Sequence, residues 1–205
     1  MDAKGLEALR IAYNQEHPKE KPIARKANIW KEITHRLRKA CKVASSECIV
    51  RNLMEKPSAP MSWKLNPDEW LSSDDIDNVQ KGYAKLLPDY YYAGTVPIDF
   101  DKHKKTGECL VSALCSLNLN NLKKKGIRRV GIVFNTDVST GPGEHWIAAF
   151  CDFRPELEKP QMTYFDSNAY EPEIQVQRLM QRWSEQLGGM NLRYNKLQHQ
   201  YTGGQ

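Results

Sequence analysis

Two residues of this chain have the types and the placing of a general base and its orienter, His145 and Asp166. His145 opens an apolar run that continues to Asp152, and Asp166 lies near the end of another, Met162 to Ser167. If the runs pair as an antiparallel hairpin across the polar loop 152–161, the start of one lies beside the end of the other. The imidazole and the carboxylate then meet at one sheet edge. A carboxylate in that place fixes the imidazole tautomer and stabilises the imidazolium. Such a dyad acts by activating a nucleophile, and the chain offers Cys41, Cys48, Cys109, Cys115 and Cys151. Cys109 and Cys115 precede the strands. Cys151 lies six residues beyond His145, and its odd-and-even count sets it near the opposite face or well along the strand.

No CxxC pair occurs, and the histidines show no finger-like spacing, so neither a metal nor another cofactor is expected. The N-terminus, Met1-Asp2-Ala3-Lys4, lacks the apolar stretch of a secretory signal. Free thiols are therefore expected rather than disulfides. No apolar run approaches the length of a membrane span.

The elements that must hold the dyad can be read around it. Apolar residues at helical steps predict a weak helix from Leu6 to Tyr13 and a stronger one from about Lys26 to Val43. Residues 45–51 fit a short helix or a strand. Pro57 to Pro60 reads as a linker, which divides the chain into a basic helical arm, 1–60, and a core, 61–205. In the core, Asn66-Pro67-Asp68-Glu69 marks a helix start. Ser73 or Asp74 caps the helix carrying Ile76, Val79 and Tyr83, which Pro88 ends. Tyr90 to Tyr92 reads as loop. Strands are expected over 130–134, 145–152 and 162–167, the second central and covered on both faces because its apolar character is nearly continuous. Gly141-Pro142-Gly143 reads as a turn that positions His145; it lacks the phosphate-loop pattern and precedes a strand. A helix follows from Ile174 to Leu187, closed by Gly188-Gly189, and a last strand runs from about Leu192 to Gln198. This order argues an α+β fold with helices on a small mixed sheet.

Gly143-Glu144-His145-Trp146 and Tyr164-Phe165-Asp166-Ser167 resemble the His-Trp and Phe-Asp strands of the adenain and SUMO-protease superfamily of papain-like cysteine proteases. The likeness is strongest to its viral polyprotein-processing branch, that of the African swine fever virus protease. It covers Phe134 to Trp146 almost without a break, then Arg182-Trp183 and His199-Gln200. That branch uses Asn as third member where this chain has Asp166. The resemblance implies His145 as general base, Asp166 as its orienter and Gln200 as amide donor to the oxyanion. It also gives Trp146 and Gly143 a site-shaping part, Trp146 by packing over His145. In the family a glutamine precedes the nucleophile by six residues. From Gln200 the cysteine would follow Gln205, so the chain as given is expected to lack its nucleophile, to be inactive and to expose apolar surface. Cleavage after Gly-Gly at Gly203-Gly204 is a weaker implication, since glycines in a tight loop before a nucleophile need no such explanation.

The formal net charge is +5 and unevenly spread: residues 1–60 hold 13 Lys and Arg against 7 Asp and Glu. Such an arm can attract nucleic acid, an anionic surface or an acidic protein such as a capsid component, or can simply be a solvated cap on the core. The resemblance implies a cysteine endopeptidase that processes viral structural polyproteins at Gly-Gly-Xaa sites, in the host cytoplasm (viral factory) and virion. Two alternatives stand beside it: an isopeptidase that removes ubiquitin-like modifiers, and a non-catalytic binding module on a protease fold. The oligomeric state is not readable.

Overall fold

The structure, a computed structural model, describes residues 3–41, 46–53, 60–66 and 69–201. The sequence features at Lys42-Val43, Pro57 to Ala59, Pro67-Asp68 and Gly203-Gly204 lie outside the described residues. The chain forms two compact units, Met1–Leu71 and Ser72–Gln205.

The first unit contains α1 (Ala3–Glu16), α2 (Ile29–Arg36), α3 (Ser46–Leu53) and α4 (Met61–Leu65). Leu9, Tyr13, Ile23, Ile33, Leu37, Ile49 and Leu53 form its core. The strong helix is shorter than its apolar periodicity suggests. Asn28 starts it by accepting from the Lys31 N–H at 3.1 Å, and the chain leaves helical geometry after Arg36. Asn14 takes the place of a strand partner for the extended segment that follows α1: it accepts from the Ile23 N–H and donates to the Ile23 carbonyl. Lys64 Nζ meets Glu16 Oε1 at 2.8 Å, so α4 packs within this unit.

The second unit begins with α5 (Ser73–Leu86), capped by Ser72, whose hydroxyl accepts from the Asp75 N–H while the Asp75 carboxylate accepts from the Ser72 N–H. Then come β1 (Tyr90–Pro97), α6 (Ser112–Cys115), α7 (Leu119–Lys124), β2 (Arg129–Asn135), β3 (Trp146–Asp152), β4 (Gln161–Phe165), α8 (Ile174–Gln186) and β5 (Asn191–Tyr194). The five strands lie in chain order, with β1 parallel to β2, β2–β3–β4 antiparallel, and β5 parallel to β4. The hairpin of β3 and β4 pairs Ala148 with Phe165 and Asp152 with Gln161.

Alternation along the strands separates two faces. Val130, Ile132, Phe134, Ile147, Ala149, Met162 and Tyr164 pack with Val176, Leu179, Met180 and Trp183 of α8 and with Leu114, Leu119 and Leu122. On the other face α5 lies over β1, tied by Tyr90 to Gln80 and by Tyr92 and Thr95 to Asp77. The Tyr90 ring crosses β2 at Gly131, where a Cβ would stand 2.1 Å from the Tyr90 hydroxyl, so any side chain there would push the tyrosine aside. Beyond α5 this face is open: Phe150 and Phe165 are 42% and 43% exposed. The near-continuous apolar run of β3 therefore marks a central strand but not one covered on both faces. Its outward Phe150 keeps large apolar area in contact with solvent.

Two further readings are corrected. Tyr90 to Tyr92 are the start of a strand, Tyr90–Pro97, rather than a loop. Aromatic residues favour the pleated surface, and Pro97 stands at the strand's last position. Four of the five cysteines are paired, Cys41 with Cys48 and Cys109 with Cys115, and Cys151 alone is free. Loops of six or seven residues bring the paired Cα atoms to 5.9 and 6.5 Å, within reach of a bond that arguments from cellular compartment cannot foresee. No helix among the described residues is long and apolar enough to cross a membrane.

Candidate active site

His145 stands immediately before β3, and its carbonyl accepts from the Thr136 N–H at 2.9 Å, which extends the β2–β3 ladder by one step. The loop that leads into it is held by two acidic and amide side chains. Asn135 Oδ1 accepts from the N–H groups of Asp137 and Glu144, and Asp137 Oδ2 accepts from that of Gly143. Gly143 has φ +94°, a left-handed conformation that favours glycine, and a Cβ there would also crowd the Asn135 amide at 3.1 Å. Ile98, just past β1, joins this loop through the Asp137 carbonyl, and Asp99 accepts from the Ser139 N–H and hydroxyl. The histidine thus enters the sheet at a fixed register and direction.

Asp166 stands immediately after β4. Its Oδ1 lies 2.8 Å from His145 Nε2, and the two side chains are 3% and 17% exposed respectively. The same oxygen accepts from the Asn168 N–H at 2.8 Å. Asn195, the residue after β5, accepts from the Asp166 N–H at 2.9 Å and donates to the Asp166 carbonyl at 2.6 Å. Asp166 Oδ1 is thus shared by the ring and the Asn168 N–H, while Asn195 holds the Asp166 backbone from both sides. A carboxylate only accepts, so the hydrogen of the neutral ring is assigned to Nε2, facing Asp166, and its lone pair to Nδ1.

Gln200 is brought to the residue next to Asp166. Its Oε1 accepts from the Ser167 hydroxyl at 2.6 Å, its backbone N–H donates to the Ser167 carbonyl at 3.0 Å, and His199 N–H donates to that same carbonyl at 2.7 Å. In this arrangement the Gln200 amide oxygen faces Ser167 and the amide nitrogen lies at the opposite end. Trp146 is half-buried and pairs with Asn135 in the ladder; strand alternation directs it to the face opposite Ile147.

Cys151, the free cysteine of this unit, does not adjoin this group. Cys151 shares His145's parity along β3, but six residues at about 3.3 Å each place it roughly 20 Å away. It is fully buried against Met190 Sδ at 3.5 Å, and burial pushes its thiol up to about 12. Cys109 and Cys115 are bonded to each other. Among the described residues no cluster of three or more His, Cys, Asp or Glu is placed to hold a metal.

Two residues around the site carry no signal in the sequence by themselves, Asn168 and Asn195, and Ser167 reads only as the end of a motif. Only the hairpin register could have found one of them. Continuing the count from Ala148–Phe165 sets Asn168 opposite His145.

No family model matches the chain. It is 31% identical over 140 residues to R355 of Acanthamoeba polyphaga mimivirus, a candidate thiol protease, covering 66% of this chain and 43% of that protein. It is 30% identical over 123 residues to the cysteine protease S273R of African swine fever virus (isolate Tick/Malawi/Lil 20-1/1983), covering 57% of this chain and 44% of the relative. The counterpart from the Pig/Kenya isolate, similar to the same extent, is named a SUMO-1 cysteine protease. The match thus spans less than half the length of these relatives. Among solved structures, that of the African swine fever virus pS273R protease superposes with a TM-score of 0.56 at 18% identity, over 92% of this chain and 79% of that one. The chain is therefore a homologue of viral cysteine proteases and has the fold of the African swine fever virus pS273R protease.

Proposed function

We propose that this chain carries the His–Asp part of a cysteine endopeptidase site that cleaves viral structural polyproteins after Gly-Gly. The observation that carries the reading is the 2.8 Å contact between His145 Nε2 and the buried Asp166. It supports His145 Nδ1 as the base. In the reaction Nδ1 takes the proton of a cysteine thiol, and the thiolate attacks the carbonyl carbon of the scissile peptide. The oxyanion that forms accepts from the Gln200 amide nitrogen. The Nδ1 proton then passes to the leaving amine, and water, deprotonated at Nδ1, releases the acyl group. The Asp166 carboxylate stabilises the imidazolium throughout. The thiol is supplied by a cysteine other than the five present here, so the chain as given forms no acyl-enzyme.

A second reading is favoured by one relative's name, SUMO-1 cysteine protease: release of a ubiquitin-like modifier. Such a substrate presents a folded docking face, whereas a polyprotein site needs only an extended groove. The basic arm, 1–60, then offers a contact for nucleic acid or a capsid component where virions assemble.

The test uses the chain extended past Gln205 by an added segment that begins with a cysteine, with a fluorogenic Gly-Gly-Xaa peptide and a folded modifier fusion as parallel substrates. Cleavage of the short peptide, abolished in His145→Ala, supports the first reading. Cleavage of the fusion alone supports the second. Hydrolysis of neither, by a folded protein, overturns both.

A further inference from the structure

Asn168 touches both members of the His–Asp pair. Its backbone N–H donates to the Asp166 oxygen that faces the ring, at 2.8 Å, and its side-chain amide lies 3.4 Å from His145 Nε2. The position follows from the hairpin. Ala149 pairs with Tyr164 and Ala148 with Phe165, so Asn168 falls across from His145 and Asp166 on the diagonal. Directly after it, Ala169 turns the chain away with φ 62°, and the Ala169 N–H closes the turn on the Asp166 carbonyl at 2.9 Å. A non-glycine residue in that conformation is strained, so the turn is held by its surroundings.

The charge pattern decides which end of the Asn168 amide belongs at the ring. Nε2 carries a hydrogen, directed at Asp166. A second N–H aimed at the same nitrogen would oppose it, whereas a carbonyl oxygen would be attracted. A half-turn about χ2 exchanges the amide's nitrogen and oxygen without moving the rest of the residue.

We propose that Asn168 is a positioning residue for His145, its carboxamide oxygen serving beside Asp166 as a second acceptor for the Nε2 hydrogen. One acceptor leaves an imidazole free to rock about the hydrogen bond; two acceptors, one across the ladder and one on the diagonal, define the plane of the ring and so the direction of Nδ1. The inference rests on the reading of His145 as the base, but it concerns the ring itself.

The experiment therefore reads the ring. In the uniformly 15N-labelled chain, long-range 1H–15N spectra identify the Nε2 hydrogen, and its exchange with water is timed. Asn168→Ala is expected to speed that exchange roughly fivefold, the equivalent of one neutral hydrogen bond. Asn168→Asp keeps an acceptor oxygen at the same reach and has no donor, so it is expected to retain the slow exchange. The indole N–H of Trp183, fully buried in the core, reports an intact fold in each variant. An unchanged rate in Asn168→Ala overturns the proposal. So does an Asn168→Asp protein with an intact Trp183 signal and fast exchange, and that variant decides alone if the alanine protein does not fold. Because no peptide is cleaved, failure of the protease reading and failure of this one are separate results.

Discussion

Asn195 holds Asp166 by both ends of its backbone, accepting from the N–H at 2.9 Å and donating to the carbonyl at 2.6 Å. One side-chain amide does what the next pair of a parallel ladder would have done, at the point where β5 stops. Asp166 is 2% exposed, so water cannot take over these bonds. Replacing Asn195 with Ala leaves a buried donor without its partner and weakens the carbonyl's pairing, which the Ala169 N–H shares. Each buried group left unsatisfied costs about 1–3 kcal/mol. Asn195→Ala is expected to lower the unfolding free energy by about 2 kcal/mol, and Asn195→Asp, which can still accept, by less. Urea unfolding of the three proteins checks the order; equal stability of Asn195→Ala and the parent would show that the clamp is not needed.

A second prediction concerns acid. Asp89 precedes β1, and its Oδ2 accepts from Arg129 Nε at 2.9 Å while Oδ1 meets the other guanidinium nitrogen. The Arg129 hydrogen bond, opposed by some burial and aided by the arginine's charge, holds the Asp89 carboxyl below its ordinary value. A carboxyl depressed on folding stabilises the native state above its unfolded pKa, and that contribution is lost as pH falls through the depressed folded value. The pair is partly exposed, so its contribution is under about 1 kcal/mol and weakens with salt. Melting temperature followed from pH 6 to pH 2 should fall less steeply for Asp89→Asn than for the parent. Parallel curves would remove the pair from the acid response.

How much of this was legible beforehand depends on the kind of residue. α8 and the strands β2, β3 and β4 were readable because Val176, Leu179, Met180 and Trp183 repeat at helical steps and because the runs around Ile132, Ile147 and Tyr164 are bounded by turns. From those runs alone, the neighbourhood of His145 and Asp166 followed. β1 was missed because three tyrosines give no alternation of apolar and polar residues. α6 and α7 are too short for a periodic signal. Asn168 and Asn195 are polar residues in loops, and their work depends on contacts 23 and 29 residues away in sequence. Residue type says nothing of such contacts until the register is known.

Cys151 supplies a chemical test of the core. Burial first, then the charge of Asp152, raises its thiol to about 12. At pH 8 only about one molecule in ten thousand then carries the thiolate, the form that alkylating agents attack. Native protein is expected to resist iodoacetamide, and urea should release one reactive thiol while the Cys41–Cys48 and Cys109–Cys115 pairs stay closed. The sign of the linkage follows. A thiol raised on folding stabilises the native state below its unfolded pKa of about 8.5, and that stability declines as pH rises above it. Cys151→Ala should therefore lose less stability between pH 8 and pH 10.5 than the parent. Rapid alkylation of the folded protein would contradict the burial on which both expectations stand.

Ser167 links the orienting acid to the amide implied as oxyanion donor. Its hydroxyl donates to Gln200 Oε1 at 2.6 Å and its carbonyl accepts from the N–H groups of His199 and Gln200. The side-chain contact sets the orientation of the amide, while the backbone contacts hold the segment in place whatever stands at 167. Ser167→Ala should thus keep the path of residues 199–200 and lose control over which end of the amide faces the substrate. Removing an oxyanion donor outright costs about 100- to 1000-fold in kcat. Loosening it should cost less, roughly tenfold, with KM unchanged because the ground-state carbonyl is little affected. In the chain extended past Gln205, Gln200→Ala should show the full loss, and Ser167→Ala combined with Gln200→Ala should be no slower than Gln200→Ala alone. If the two losses multiply instead, Ser167 acts by some route other than Gln200, and the coupling between acid and amide does not exist.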